Sequence, residues 1–197
     1  KFDDVEKIDK TINLLEGKRE PVFIHLHWMG THGPNFYPEQ QVFSAGIDSG
    51  EQEFHKQLFY YDSILEFDHT IEQLYQYLEQ NNRLDHTILI VTSDHSQKWT
   101  NARLPLLLHF PENEYNREIS SNTENIDIAP TLLGYLGIPQ PAWMPGHSLI
   151  TGEYPAHAIF TARIPKSTKD PTTGKVSYPE SAPPFYPGGF TSSIDIT

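Results

Sequence analysis

The chain has 197 residues, enough for a domain with a substantial hydrophobic core. It carries 14 basic and 26 acidic residues, and the formal net charge of −12 argues against binding nucleic acid, whose affinity comes mainly from neutralised phosphates. The absence of cysteine excludes disulfides and thiolate metal sites. The first residue is Lys rather than Met, which we interpret as a chain processed or cut from something longer.

The first half of the chain predicts a helix, a strand, a long loop and a second helix. Apolar residues at helical spacing predict a short amphipathic helix over residues 2–15. The mostly apolar run 21–27 predicts a buried strand. Residues 28–50 are rich in Gly, Pro, Asn and Ser and predict a long loop, which in a compact domain is often functional. From about 51 to 81, an apolar stripe predicts a long helix.

The second half continues the alternation of strands and helices. Apolar runs predict two further buried strands, at residues 87–92 and 104–110. Helical spacing predicts a short helix over 127–136 with Pro130 in its first turn, and a fourth short strand follows at 158–161. Such alternation predicts an α/β fold with a mostly parallel sheet flanked by helices. In sheets of this kind, ligands bind beyond the carboxyl ends of the strands.

Asp94 and His95 directly follow the predicted strand 87–92. A carboxylate and an imidazole at one strand end can both reach a single cation. Carboxylate oxygen suits calcium, magnesium or manganese, and imidazole suits zinc or manganese. The alternative is an ordinary turn, since Asp commonly caps turns. The position after a buried apolar run favours the metal interpretation.

Three further side chains are candidates for binding an anionic substrate. His32 lies between two glycines in Met29-Gly-Thr-His-Gly-Pro34, where the backbone can pass close to a ligand. His32 could donate to an anionic oxygen or protonate a leaving group, or be an exposed residue of a Gly-Pro turn. His27 is either a core histidine or a support for the site. Lys98 could contact a sulfate or phosphate oxygen as a point charge, or be solvated.

Taken in chain order, these pieces resemble the alkaline phosphatase superfamily, in particular its sulfatase-like branch. The resemblance runs from about Pro21 to Ile150. The first matching pieces are a strand end with its following loop (27–34) and a long helix (60–68). A strand ending in Asp-His (88–95), a third strand (103–108) and a final helix with its following turn (127–149) come after them.

The resemblance implies an alkaline-phosphatase-like α/β fold and a metal-assisted in-line displacement at sulfur or phosphorus. By the match, Asp94 and His95 bind one divalent metal ion, in the first place calcium, with manganese, magnesium or zinc as alternatives. The resemblance gives His32 a catalytic role, binding the anionic group or assisting the leaving group. His27 and Lys98 are then candidates for binding substrate.

The chain also departs from the family pattern. The family's nucleophile, formylglycine or Thr/Ser, lies upstream of the matching region together with at least one metal-binding Asp, so we expect an N-terminal half to carry both and this chain alone to be inactive. Ser96 stands where a Gly is usual. The short segment 96–102 contains no His, which favours a one-metal site.

We therefore expect residues 1–163 to form the C-terminal part of a sulfatase-like catalytic domain and residues 164–197, rich in Pro and Gly, to form an extended tail. The expected function is metal-dependent hydrolysis of sulfuric esters. The alternatives are a phosphoglycerol or phosphoethanolamine transferase of the same superfamily, and a non-catalytic module that retains the fold. The family alone suggests an exported, periplasmic or membrane-associated location.

Overall fold

The computed structural model describes residues 4–97, 103–151, 157, 159–163, 168–177 and 191–195. The chain divides into two units, Lys1–Tyr115 and Asn116–Thr197. Among the described residues, no helix combines the length and the apolar character needed to cross a membrane. The candidate site residues named above that the structure describes all belong to the first unit.

Two helices and a short 3-10 turn enclose the core of the first unit. Helix α1 covers Val5–Leu15 and helix α2 covers Gln52–Gln80, which confirms both helices predicted from apolar spacing. Because the apolar residues recur at helical spacing, each helix presents one apolar stripe, and the two stripes meet. The buried members of this core are Ile8, Leu15, Leu74, Leu78 and Leu84.

A two-stranded antiparallel sheet leads to the candidate site. Strand β1 covers Leu89–Thr92 and strand β2 covers Leu106–His109, with Leu89 opposite His109 and Thr92 opposite Leu106. Both strands were predicted, over slightly longer ranges. Every strand pair within the described part of the chain is antiparallel. The mostly parallel sheet therefore stays a prediction.

The prediction of a buried strand over residues 21–27 is wrong. This segment contains no strand, and Phe23 is 89% exposed. Ile24, Leu26 and Trp28 nevertheless pack against the core of α1 and α2, so the segment has the two-sided alternation of extended backbone. A strand also needs a neighbour for its ladder of hydrogen bonds, and none of the described strands pairs with this segment.

The second unit contains helix α3 over Ile128–Tyr135, with Pro130 buried in its first turn. Its strands pair as two antiparallel ribbons. Strand β3 (Ile159–Arg163) pairs with β6 (Thr191–Asp195), and strand β4 (Thr168–Lys169) pairs with β5 (Val176–Ser177). The predicted helix over 127–136 and the predicted strand near 158–161 are thus confirmed. The proposed division between residues 163 and 164 stays a prediction.

A buried carboxylate ties the segment after α3 back to the helix. Asp127 is 0% exposed, and its two oxygens accept the backbone N–H groups of Glu124 and His147, each at 2.8 Å. Thr131 is equally buried, and its hydroxyl oxygen accepts the N–H of Leu149 at 2.8 Å. These bonds fix residues 147–149 against the start of α3.

Candidate functional site

Two loops that are distant in sequence meet to form the candidate site. The first contains residues 29–33 and the second contains residues 93–97. The side-chain amide of Gln97 donates to the carbonyl oxygen of Thr31 at 2.6 Å. Beside this bond, the imidazole rings of His32 and His95 lie edge to face with centroids 5.7 Å apart. The structure therefore brings His32 together with the Asp94-His95 pair.

Local hydrogen bonds shape the second loop, which begins where β1 ends. The Ser93 hydroxyl donates to the carbonyl of His95 at 2.8 Å, and the N–H of His95 donates to Asp94 Oδ1 at 3.0 Å. The segment is thus a bend held by its own side chains, and both interpretations of Asp94 stay open. Both side chains nevertheless remain open to a ligand, since Asp94 is 72% exposed and His95 is 57% exposed.

The side chains of Asp94 and His95 each have an atom with a lone pair, and these two atoms lie close together. His95 Nδ1 lies 3.2 Å from the carbonyl oxygen of Ser96. Since a carbonyl only accepts, this bond places a proton on Nδ1 and leaves Nε2 with a free lone pair when the ring is neutral. Nε2 lies 3.7 Å from Asp94 Oδ2, which is too long for a hydrogen bond.

The spacing of these two atoms fits a shared cation. Divalent cations bind carboxylate oxygen and imidazole nitrogen at about 2.0–2.6 Å, so two ligands of one ion normally lie between about 3 and 4 Å apart. Two donors do not complete a coordination shell, and the described residues contain no group of three or more His, Cys, Asp or Glu side chains arranged to hold a metal. The pair fits as part of a metal site, with further ligands required.

His32 occupies the tip of the first loop with its side chain exposed. Its N–H donates to the carbonyl of Met29 at 2.9 Å, which closes the turn. Its Nδ1 lies 2.6 Å from the carbonyl oxygen of Gly33, so Nδ1 carries a proton and Nε2 points away from this bond. A protonated His32 can therefore donate from Nε2 to an anionic oxygen.

Of the two residues predicted to bind substrate, His27 and Lys98, the structure describes only His27. His27 is exposed, which makes the core-histidine interpretation wrong. Its backbone carbonyl accepts a hydrogen bond from Lys7 Nζ at 2.6 Å, whereas its imidazole makes no hydrogen bond to the described residues. Lys98 lies outside the described residues.

Sequence reasoning missed a buried carboxylate that holds the first loop. Asp4, which is 2% exposed, accepts the backbone N–H groups of Met29 and Gly30 at 2.9 and 2.5 Å. In the sequence, Asp4 has the place of an ordinary helix-capping residue just before α1. No local pattern separates a carboxylate that caps its own helix from one that binds a distant loop.

A second buried carboxylate organises the long loop that follows the site. Asp62 is 1% exposed and accepts the backbone N–H groups of Val42, Phe43 and Ser44 as well as the Ser44 hydroxyl, at 2.6–3.1 Å. Burial alone would raise the pKa of Asp62, but the Ser44 hydroxyl and the three amides together lower this pKa below its ordinary value. Asp62 is therefore a structural anion in the middle of α2.

Comparison with known proteins shows which family this chain resembles. The family model described as Sulfatase matches residues 2–138. The chain is 32% identical over 105 residues to arylsulfatase K of Canis lupus familiaris, covering 47% of this chain and 20% of that protein. It is 35% identical over 97 residues to a putative extracellular sulfatase Sulf-1 homolog of Caenorhabditis elegans, covering 42% of this chain and 14% of that protein.

A bacterial protein gives a similar match. N-acetylglucosamine-6-O-sulfatase of Bacteroides thetaiotaomicron is 31% identical over 104 residues, covering 46% of this chain and 19% of that protein. The chain thus matches only about a fifth of the length of these three curated relatives, or less.

Proposed function

We propose, starting from the fact that this chain belongs to the sulfatase family, that it supplies part of the active site of a metal-dependent sulfuric-ester hydrolase. The observation that carries this proposal is the edge-to-face contact of His32 and His95, with ring centroids 5.7 Å apart. In this contact, an imidazole that can donate to an anionic group lies beside a carboxylate–imidazole pair that can bind a cation. A cation can neutralise charge on the oxyanion, and a hydrogen-bond donor can stabilise its oxygens or the leaving group.

Asp94 and His95 are the proposed ligands of one divalent metal ion, with calcium as the first choice and manganese, magnesium or zinc as alternatives. The hydrogen bond from His95 Nδ1 to the Ser96 carbonyl leaves His95 Nε2 free to coordinate, and such a partner commonly fixes the ring of a metal-binding histidine. When bound, the ion would neutralise charge on the sulfate oxygens and orient the attacking group. The remaining ligands must come from outside this pair.

His32 is the proposed catalytic donor. In sulfate-ester hydrolysis the bond between sulfur and the bridging oxygen breaks, and the departing oxygen needs a proton. The Nε2–H of a protonated His32 can supply that proton or hydrogen-bond a sulfate oxygen, because Nδ1 is already occupied by the Gly33 carbonyl. His27 and Lys98 are proposed as further contacts to the substrate.

The nucleophile is proposed to lie in an N-terminal half outside this chain, so that the chain alone turns over no ester. The matches cover a fifth or less of the length of the sulfatases named above, which is consistent with a larger catalytic unit. An exported or membrane-associated location is part of the same proposal and rests on the family alone.

The test is turnover of an aryl sulfate such as 4-nitrophenyl sulfate by the complete protein, before and after a chelator. We expect chelation to abolish turnover and one of the four divalent ions to restore it. Asp94→Asn and His95→Gln should each lower kcat/KM by about 100-fold or more. Asp85→Asn, which changes an exposed carboxylate in the 3-10 turn before β1, is the matched control and should leave turnover unchanged.

Three results would overturn the proposal. Full activity after chelation, or in Asp94→Asn, would remove the metal assignment. Turnover of a phosphodiester such as bis(4-nitrophenyl) phosphate without turnover of the sulfate would favour the transferase alternative. Binding of sulfate without turnover of either ester by the complete protein would favour a non-catalytic module.

A further inference from the structure

The carboxylate of Asp4 has an unusual set of partners for a residue at the start of a helix. Asp4 occupies the position just before α1, where an Asp side chain commonly accepts N–H groups of its own first turn. Here it makes no such bond. Its Oδ2 instead accepts the N–H groups of Met29 and Gly30 at 2.9 and 2.5 Å, from residues 25 and 26 positions further along the chain.

Lys7 extends this connection to the other side of the loop. Its ammonium group lies 2.5 Å from Asp4 Oδ1 and also donates to the carbonyl oxygen of His27 at 2.6 Å. The Asp4–Lys7 ion pair thus holds two amides and one carbonyl of residues 27–30. Because charge-assisted bonds are stronger than neutral ones, and Asp4 is only 2% exposed, this pair fixes the loop backbone firmly.

The close approach of the loop depends on a residue without a side chain. A Cβ atom added at Gly30 would lie 3.2 Å from Asp4 Oδ2 and 3.1 Å from the indole nitrogen of Trp28. Both distances are tighter than ordinary contacts, so the loop reaches the carboxylate with glycine at this position. The Trp28 indole nitrogen is itself buried and packed beside the same turn.

The backbone held in this way leads directly to His32. The carbonyl of Met29 accepts the N–H of His32 at 2.9 Å, so the residue whose amide is bound by Asp4 also closes the turn that carries the imidazole. The path from Asp4 Oδ2 to the His32 ring therefore consists of two hydrogen bonds and one short turn.

We propose that Asp4, with Lys7, is a positioning residue that sets the orientation of His32 through the backbone of residues 29–32. This inference rests on the proposed function for the role of His32 in catalysis, whereas the ordering of the turn stands on the contacts alone. Misplacing a reacting group by about 1 Å can cost about 100-fold in rate. Asp4 needs no contact with substrate to have such an effect.

The test uses the complete protein with Asp4→Asn and Asp4→Ala. Asn retains one oxygen that can accept the loop amides but loses the ion pair with Lys7, so its effect should be the smaller of the two. Asp9→Ala is the matched control, because Asp9 is an exposed carboxylate on the same helix. Hydrogen exchange of peptides covering residues 27–33 reports the turn, and kcat and KM for an aryl sulfate report its consequence.

We expect the Met29 and Gly30 amides to exchange faster than in the wild type in both Asp4 variants. Asp9→Ala should leave their exchange rates unchanged. We expect kcat to fall by about 10- to 100-fold in Asp4→Ala, with a smaller fall in Asp4→Asn and little change in KM. Unchanged exchange would overturn the proposal. Faster exchange with wild-type kcat would overturn it as well, since Asp4 would then have only a structural role.

Failure of the proposed function gives a different result. If the wild-type complete protein turns over no sulfate ester, the hydrolase proposal fails. The catalytic consequence of Asp4 then falls with it, and the part of the proposal that concerns the turn is judged by exchange: faster exchange at residues 29–32 in the Asp4 variants supports it and unchanged exchange overturns it.

Discussion

The edge of one imidazole ring faces the other in the contact between His32 and His95, with an interplanar angle of 76°. The contact joins a glycine-flanked loop to the turn that follows β1. It places the His32 ring next to a carboxylate–imidazole pair. Under the proposed function, an anionic substrate would therefore meet a hydrogen-bond donor and a metal ligand in one place.

Gln97 is predicted to maintain this arrangement, because its side-chain amide donates to the Thr31 carbonyl at 2.6 Å and so joins the two loops. Gln97→Leu removes the donor at similar volume. One hydrogen bond is worth about 0.5–1.5 kcal/mol, so we expect a fall in kcat/KM for an aryl sulfate of about 2- to 10-fold in the complete protein. Gln73→Leu, an exposed glutamine of α2, is the control. Equal kinetics for the two variants would contradict the prediction.

Asp62→Asn is predicted to destabilise the fold without touching the candidate site. The Asp62 carboxylate accepts three backbone amides and the Ser44 hydroxyl, whereas an Asn side chain offers a single acceptor oxygen and adds an N–H₂ group among donors. Leaving buried donors unpaired costs about 1–3 kcal/mol. We therefore expect the free energy of unfolding, measured in urea at pH 7, to fall by about 2–3 kcal/mol. An unchanged value would show that the loop is held by other contacts.

The same residue gives a prediction for pH. Burial opposes ionisation of Asp62, but the Ser44 hydroxyl and the amides of residues 42–44 outweigh it and lower the pKa in the folded state. A carboxyl with a lowered folded pKa stabilises fully above its unfolded value of about 3.9, and this contribution is lost as the pH falls through the folded pKa. The difference in unfolding free energy between the wild type and Asp62→Asn should thus shrink below about pH 3.9. A difference that is constant between pH 6 and pH 3 would contradict this.

The helices of this fold follow from local sequence, and the sheet does not. The apolar spacing that predicts α1, α2 and α3 is a property of each segment alone, and all three helices are present. Residues 21–27 have the composition of a strand, yet a strand exists only beside a partner, and none of the described strands pairs with them. The direction in which β1 and β2 pair is likewise set by their connection in space rather than by their composition.

The candidate site divides in the same way. The positions of His32, Asp94 and His95 follow from a glycine-flanked loop and from a strand end, which are local signals. The contribution of Asp4 depends on a contact with Met29, 25 residues away, and resembles an ordinary helix cap in the sequence. The Gln97–Thr31 bond spans 66 residues and has no sequence signal at all.

The second unit offers a prediction that separates backbone strain from steric overlap. Gly146 has a φ of +92°, and a Cβ atom there would lie 2.4 Å from the carbonyl oxygen of Ile126. Gly174 also has a positive φ, +69°, but its nearest neighbour would be 3.9 Å away, at Lys169. Gly174→Ala should therefore cost only the conformational penalty of about 1–2 kcal/mol.

Gly146→Ala should cost more, about 3 kcal/mol or above, because backbone must also move. The Ile126 carbonyl precedes Asp127, whose Oδ1 accepts the His147 N–H at 2.8 Å, so relief of the overlap separates the atoms that this bond joins. Thermal unfolding and hydrogen exchange of residues 144–149 in the two variants measure the difference. Equal destabilisation would mean that the turn yields freely and that Asp127 does not fix it.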